Sequence, residues 1–138
     1  ATSCGAVYEE TQNNGRCHYS PTLHMELAEW ADVIAVVPAT YNSIIKMSLG
    51  LADNLALTII AYADCPIIVS PAVGVVPAAS RIYREAKSKI LQQGITFIPA
   101  TVPTMETHSG QMVYPQGGDG APDCHAVLAA LKKIVDAS

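Results

Sequence analysis

Six consecutive residues, Pro38-Ala39-Thr40-Tyr41-Asn42-Ser43, close an apolar run with a cluster of hydroxyl and carboxamide side chains. Thr40, Asn42 and Ser43 can cap a following helix. The N–H groups exposed at such a helix start can meet an anion or the polar edge of a ring. One turn can do both, so capping and binding are compatible readings. Further on, GLADNL at 50–55 sets Asp53 and Asn54 inside an apolar stretch. A buried carboxylate there needs donors from the protein or a ligand. The alternative is the start of a second helix, with Asp53 as its cap. His24 lies upstream in LHMELAEW. Read by itself, it is either a structural histidine or an acid–base group.

The other candidate ligands do not assemble into a metal site. His18 and His125 have no suitable companions, and His108 sits in the polar stretch THSG, where it is expected to be exposed. Cys4, Cys17, Cys65 and Cys124 contain no CxxC pair, so neither zinc nor a redox dithiol is expected. The cysteines are expected as reduced thiols. Cys65 borders an apolar run and is expected to be a small core residue.

The elements that must position these groups follow from hydrophobic pattern. DVIAVV at 32–37, CPIIVS at 65–70 and GITFI at 94–98 are short apolar runs rich in β-branched residues. Such runs suit strands covered on both faces, as in parallel sheets. Between them, residues 43–62 can form one helix or two, with Gly50 as a possible break. AASRIYREAKSKILQQ at 78–93 has the period of an amphipathic helix, and Gly94 stands where a C-terminal cap belongs. LHMELAEW at 23–30 predicts a short helix before the first strand. Asp123 can cap a last helix, HAVLAALKKIVDA, whose Lys132 and Lys133 fall toward the negative end of its dipole. Strands alternating with helices predict an α/β fold with a parallel sheet and right-handed crossovers. The strands share an ending: Val37-Pro38-Ala39, Ser70-Pro71-Ala72 and Ile98-Pro99-Ala100. Proline donates no ladder hydrogen bond, and in a parallel sheet these three ends lie on one edge. Open α/β sheets bind ligands at that carboxyl edge.

Composition sets the outer limits. The 138 residues suit one domain, half of them apolar and only 14% charged. That excess of core-forming residues predicts a buried sheet or a large subunit interface. The formal charge of -4 and the scattered Lys and Arg residues give no footprint for nucleic acid. No apolar run reaches the roughly 18 to 20 residues of a membrane span. The first residues lack the charged-then-apolar pattern of a signal peptide. A cytoplasmic protein is the expectation.

Taken in order, His24, Leu27, Trp30-Ala31-Asp32, Pro38-Ala39-Thr40-Tyr41-Asn42-Ser43 and Gly50-Leu51-Ala52-Asp53-Asn54-Leu55 closely resemble the flavin-containing cysteine decarboxylase superfamily. Its pattern runs from a histidine through Trp-Ala-Asp to Pro-Ala-Ser-Ala-Asn-Thr and Gly-Leu-Ala-Asp-Asn-Leu. Members include phosphopantothenoylcysteine decarboxylase and the peptidyl-cysteine decarboxylases of lantibiotic synthesis. A weaker likeness continues from Pro66 to about Pro115. The resemblance implies a Rossmann-like, three-layer fold that binds FMN. It implies homo-oligomers of trimer or dodecamer type, with flavin at subunit contacts. It places Pro38, Ala39, Thr40, Tyr41, Asn42 and Ser43, with Asp53 and Asn54, at the cofactor, and makes His24 catalytic. Ala72, Gly74 and Met112 are then substrate-side residues. In these enzymes flavin oxidises a cysteine side chain, carbon dioxide leaves, and an enethiol results. The implied substrate is a small-molecule or peptidyl thiol.

Three departures from the family pattern stand out. The Pro-Ala-Met-Asn motif reads Pro71-Ala72-Val73-Gly74, so the amide that contacts the substrate carboxylate is missing. The flap of the coenzyme A-precursor enzymes carries Ala-Cys-Gly-Asp, whereas residues 103–112, PTMETHSGQM, have no cysteine. The family's first strand, its Gly- and Ser-rich phosphate loop and the next β-α unit would precede Ala1. The expectation is a single flavoprotein-like domain over 1–138 that corresponds to the C-terminal part of the family fold, with a second chain as one source of the N-terminal half. Three strands leave an open sheet edge, which needs a partner. Two functions follow: an FMN enzyme with altered chemistry, either oxidoreduction or oxidative decarboxylation, or a non-catalytic regulatory subunit. A different phosphorylated ligand at the same edge is a third possibility.

Overall fold

The computed structural model describes residues 22–99, 104, 105, 110, 112, 113, 120 and 122–137. Three parallel strands, β1 (Ile34–Ala39), β2 (Ile67–Pro71) and β3 (Thr96–Phe97), lie in the order β1-β2-β3. Ile34 pairs with Ile67 and Val36 with Val69, while Ile68 pairs with Thr96. The helices are α1 (Leu23–Trp30), α2 (Tyr41–Leu49), α3 (Leu55–Tyr62), α4 (Val75–Ala78), α5 (Arg81–Gln92) and α6 (Cys124–Asp136). A separate antiparallel pair joins β4 (Thr104–Met105) to β5 (Met112–Val113).

The sheet is the middle of three layers, as in Rossmann-like folds. On one face Val36, Ile67, Val69 and Phe97 pack with α2, α3 and α5 through Ile44, Met47, Leu57, Tyr83, Ala86 and Ile90. Tyr83, Ala86 and Ile90 recur at helical spacing on α5 and are all buried. On the other face Ile68 and Ile98 pack against Val127, Ala130 and Leu131 of α6. β2 is buried along nearly its whole length, as its continuous apolar run requires. β1 departs from that expectation. Ala35 sits beside Ile68 in register but is exposed, and so is Val37. β1 is an edge strand, and the α6 packing falls on β2 and on the residue after β3 instead.

Element ends follow local chemistry. Gly50 closes α2 at φ 69, and its N–H reaches the Lys46 and Met47 carbonyls. The segment 43–62 is therefore two helices. α3 is capped by Asn54 rather than Asp53: its Oδ1 accepts from Leu57 N–H at 2.8 Å. The amphipathic helix expected from residue 78 begins at Arg81, because Ser80 accepts from Tyr83 N–H and a short helix, α4, precedes it. Gly94 follows the Gln93 C-cap with φ 83, a left-handed position that suits glycine. Asp123 caps α6 by accepting from the His125 and Ala126 N–H groups. Among the described residues no helix is long and apolar enough to cross a membrane, and no group of three His, Cys, Asp or Glu side chains could hold a metal ion.

Candidate functional site at the carboxyl edge of the sheet

The shared strand endings meet on one edge. Ala72 N–H donates to the Ala39 carbonyl at 2.8 Å, and Ile98 N–H donates to the Val69 carbonyl at 2.8 Å. The first bond joins the two segments that sequence reading put at a ligand, 38–43 and 72–74. Pro38 does not end β1 but lies within it, where the register shifts between Val36 and Ala39. Pro71 is the last residue of β2, as expected. Ala100 lies outside the described residues.

Thr40 is the N-cap of α2. Its Oγ1 accepts from Ser43 N–H at 3.3 Å and lies 3.0 Å from the Ser43 hydroxyl. The Thr40 carbonyl accepts from Ile44 N–H. Tyr41 and Asn42 occupy the first two helical positions, whose N–H groups have no intrahelical carbonyl to meet. Asn42 is exposed, and its carboxamide adds a donor and an acceptor. Tyr41 turns inward to stack on Tyr83, with centroids 5.9 Å apart and planes at 19°. The result is a turn fixed from below and rich in neutral donors above. Neutral donors at a helix N-terminus suit carbonyl oxygens and ring nitrogens that carry partial negative charge.

Gly74 is exposed beside this turn. Among the described residues, a Cβ added there would meet only Pro77 Cδ, at the ordinary contact distance of 3.6 Å. The glycine therefore removes a side chain from the edge without being required by crowding. Val73, by contrast, is buried. Two residues before Ala72, the Ser70 hydroxyl is fully buried and among the described residues has no hydrogen-bond partner. An orphaned hydroxyl at that depth carries a desolvation cost. Sequence reading used Ser70 only as a strand end, since burial without a partner is a property of packing and has no local signature.

The remaining candidates lie elsewhere. Asp53 is exposed, not buried, and its carboxylate pairs with the Lys46 ammonium. The donor it needs thus comes from α2 itself, one helical turn beyond Ser43. With 52% of its side chain accessible, such a pair contributes at most about 1 kcal/mol. Asn54 is occupied in capping α3. His24 is half-buried on α1, which packs on α3, and its ring lies 5.3 Å from that of Tyr62. Among the described residues no hydrogen bond, ion pair or ring contact joins His24 to 38–43. Met112 pairs with Met105 in the β4–β5 ladder. The intervening 106–109, with His108, lie outside the described residues, as do Cys4, Cys17 and His18. Cys65 is not a core residue. It is half-exposed, and burial pushes its thiol above the usual range, helped by the Asp32 and Asp64 carboxylates and opposed by a hydrogen bond of its own backbone.

Comparison with known proteins bears on this edge. A family profile described as Flavoprotein matches residues 4–136. A Cysteine/Cysteine sulfinic acid decarboxylase from an unknown prokaryotic organism is 34% identical over 100 residues, covering 67% of this chain and 27% of that relative. A cysteine-to-serine mutant of PPC decarboxylase complexed with pantothenoylaminoethenethiol superposes with a TM-score of 0.70 at 28% identity, covering 89% of this chain and 65% of that one. The FMN binding protein AtHal3 gives 0.69 at 27% identity, covering 86% and 62%. The chain thus spans about a quarter of the first relative's length and less than two thirds of each of these solved chains.

Proposed function

This chain belongs to the Flavoprotein family, and from that membership we propose that it binds FMN at the carboxyl edge of its sheet and serves a decarboxylase-like reaction on a thiol substrate. The observation that carries the reading is the Ala72–Ala39 hydrogen bond. It holds the donor-rich turn 38–43 beside the substrate-side turn 72–74. The donor set fits the cofactor's ring system: the Tyr41 and Asn42 N–H groups, the Thr40 and Ser43 hydroxyls and the Asn42 carboxamide are neutral and can serve the carbonyl and nitrogen edge of an isoalloxazine. No lysine or arginine stands in 38–43, so this turn is suited to the ring and not to the phosphate.

Bound FMN would supply two-electron oxidation of the thiol-bearing carbon. The chain's own contribution is positional. Thr40 shapes the turn, Tyr41 anchors it on Tyr83, and Pro38 and Ala39 line the strand end below the ring. Asp53 and Asn54 act one layer back: Asp53 braces α2 through Lys46, and Asn54 starts α3. His24 is the candidate proton donor or acceptor. It lies on α1, which packs on α3, and we propose that in a homo-oligomer the His24 of one copy serves the turn of another. Ala72, Gly74 and Met112 would face the substrate. At Gly74 there is no side-chain amide to hold a carboxylate, which favours either oxidoreduction without loss of carbon dioxide or decarboxylation with weakened substrate binding. That same glycine favours a second reading, a regulatory or partner subunit that keeps the turn for assembly. The 1–138 segment is proposed to act as one domain within an assembly that closes the β1 edge, by further copies or by a second chain.

Two measurements on the FMN-treated protein separate these readings. Retained flavin absorption supports the enzyme, and a sample that remains colourless supports the partner role. For a flavin-loaded sample, mass spectrometry of a peptide ending in cysteine reads loss of carbon dioxide. No loss, with flavin that a reductant bleaches reversibly, would overturn decarboxylation and leave oxidoreduction.

A further inference from the structure

A feature without a role lies on the opposite edge of the sheet. Where β2 and β3 begin, a half-open cavity of about 640 Å³ is walled by α2, α3 and the turns at 63–66 and 93–95. Its size falls within the range of small-molecule sites, about 300–1,000 Å³. Met47, Leu57, Ile60, Ile67 and Ile95 form an apolar side of the wall, and polar groups make up nearly as much of the rest. Asp64, Cys65 and Gln93 supply polar side chains, and among the described residues no lysine, arginine or histidine lines it.

Both Asp64 and Asp32 act on the Cys65 thiol as negative neighbours. Among the described residues neither carboxylate has an ion-pair partner. A pocket that pairs an apolar wall with an unneutralised carboxylate favours a ligand that rests a hydrocarbon body on that wall and leaves a cation near the charge. A carboxylate or phosphate ligand would meet repulsion from both Asp residues.

We propose that this cavity is a second binding site, separate from the carboxyl-edge turn, for a small organic cation with an apolar body, of the primary-ammonium class. The apolar part would rest against Leu57, Ile60 and Ile95, and the ammonium would lie at Asp64.

Cys65 reports occupancy, because it lines the cavity while Cys124 is exposed on α6. Iodoacetamide alkylation of the intact protein is followed cysteine by cysteine through peptide mass spectrometry, with 2-phenylethylamine as the probe. Its neutral and anionic counterparts are 2-phenylethanol and 3-phenylpropanoate. Millimolar 2-phenylethylammonium is expected to slow alkylation of Cys65 at least threefold and leave Cys124 unchanged. The alcohol is expected to protect less and the anion not at all. In Asp64→Asn, an exposed substitution that the fold tolerates, the ammonium and the alcohol are expected to protect equally. Absence of protection by the ammonium, equal protection by all three probes in the wild type, or an unchanged preference in Asp64→Asn would overturn the proposal. None of these outcomes depends on whether flavin binds at the other edge.

Discussion

Tyr41 stacks on Tyr83 with ring centroids 5.9 Å apart and planes inclined by 19°. The first residue of α2 is thereby clamped to a fully buried side chain of α5, and the donor-rich turn inherits the rigidity of the core. Offset aromatic pairs add about 0.5–1.5 kcal/mol beyond area burial.

The two halves of this pair are expected to separate in mutation. Tyr83→Ala empties a buried site and is predicted to cost about 3–5 kcal/mol in urea unfolding, by analogy with other aromatic truncations. Tyr41→Ala leaves half-exposed space and is predicted to cost about 1 kcal/mol, within the worth of such a pair, while weakening FMN binding in a fluorescence titration. A Tyr41→Ala variant with unchanged FMN affinity would remove Tyr41 from the site's support.

Thr40 carries the cap of α2. Thr40→Ala is predicted to lose about 1 kcal/mol of stability, the usual worth of an N-cap, and to raise the FMN dissociation constant. Thr40→Ser keeps the oxygen and is predicted to restore both. Thermal unfolding and flavin-fluorescence quenching on the same samples check this. A cap without a binding role would show the stability loss with no change in affinity.

Much of this edge could be read from the sequence, because the signals were local. A helix over 23–30, the Asp123 cap and the Gly94 terminus each depend on a few neighbouring residues, and all three stand as expected. The repeated Pro-Ala endings identified the carboxyl edge because parallel strands share direction. The strand limits moved because ladder pairing, not apolarity, ends a strand: β1 runs to Ala39 through Pro38. Asp53 is the expected cap of α3, and the neighbouring Asn54 takes that place while Asp53 pairs with Lys46; both residue types can cap, so the pattern alone does not choose between them. The stacking of Tyr41 on Tyr83, the orphaned Ser70 hydroxyl and the cavity beside Cys65 join residues far apart in the chain, and no local pattern announces them.

Gly74 offers a gain-of-function prediction. Among the described residues its surroundings admit a side chain, with only Pro77 Cδ at 3.6 Å from a new Cβ. Gly74→Asn would supply an amide to the substrate carboxylate, and a hydrogen bond to a charged group is worth about 1.5–3 kcal/mol. In the FMN-loaded protein, carbon dioxide loss from a peptide ending in cysteine is predicted to rise about tenfold or more. If Gly74→Asn folds, keeps its flavin and shows no gain, residue 74 is not the carboxylate contact.

Cys65 gives a pH prediction. Its folded pKa is raised, chiefly by burial, so the folded chain favours the protonated thiol. The stability this contributes is present below the ordinary thiol pKa and is lost as pH rises through the raised value. Because the thiolate is the reacting species, the alkylation rate of Cys65 is predicted to climb at higher pH than that of glutathione under the same conditions. Superimposable pH profiles would contradict it.

Flavin retention tests the central claim most directly. The purified protein is incubated with FMN, freed of excess by gel filtration, and its visible spectrum recorded. Flavin bands are predicted to stay with the wild-type protein and to fall away in Thr40→Ala. A wild-type protein that leaves the column colourless, with all FMN in the small-molecule fraction, would contradict it.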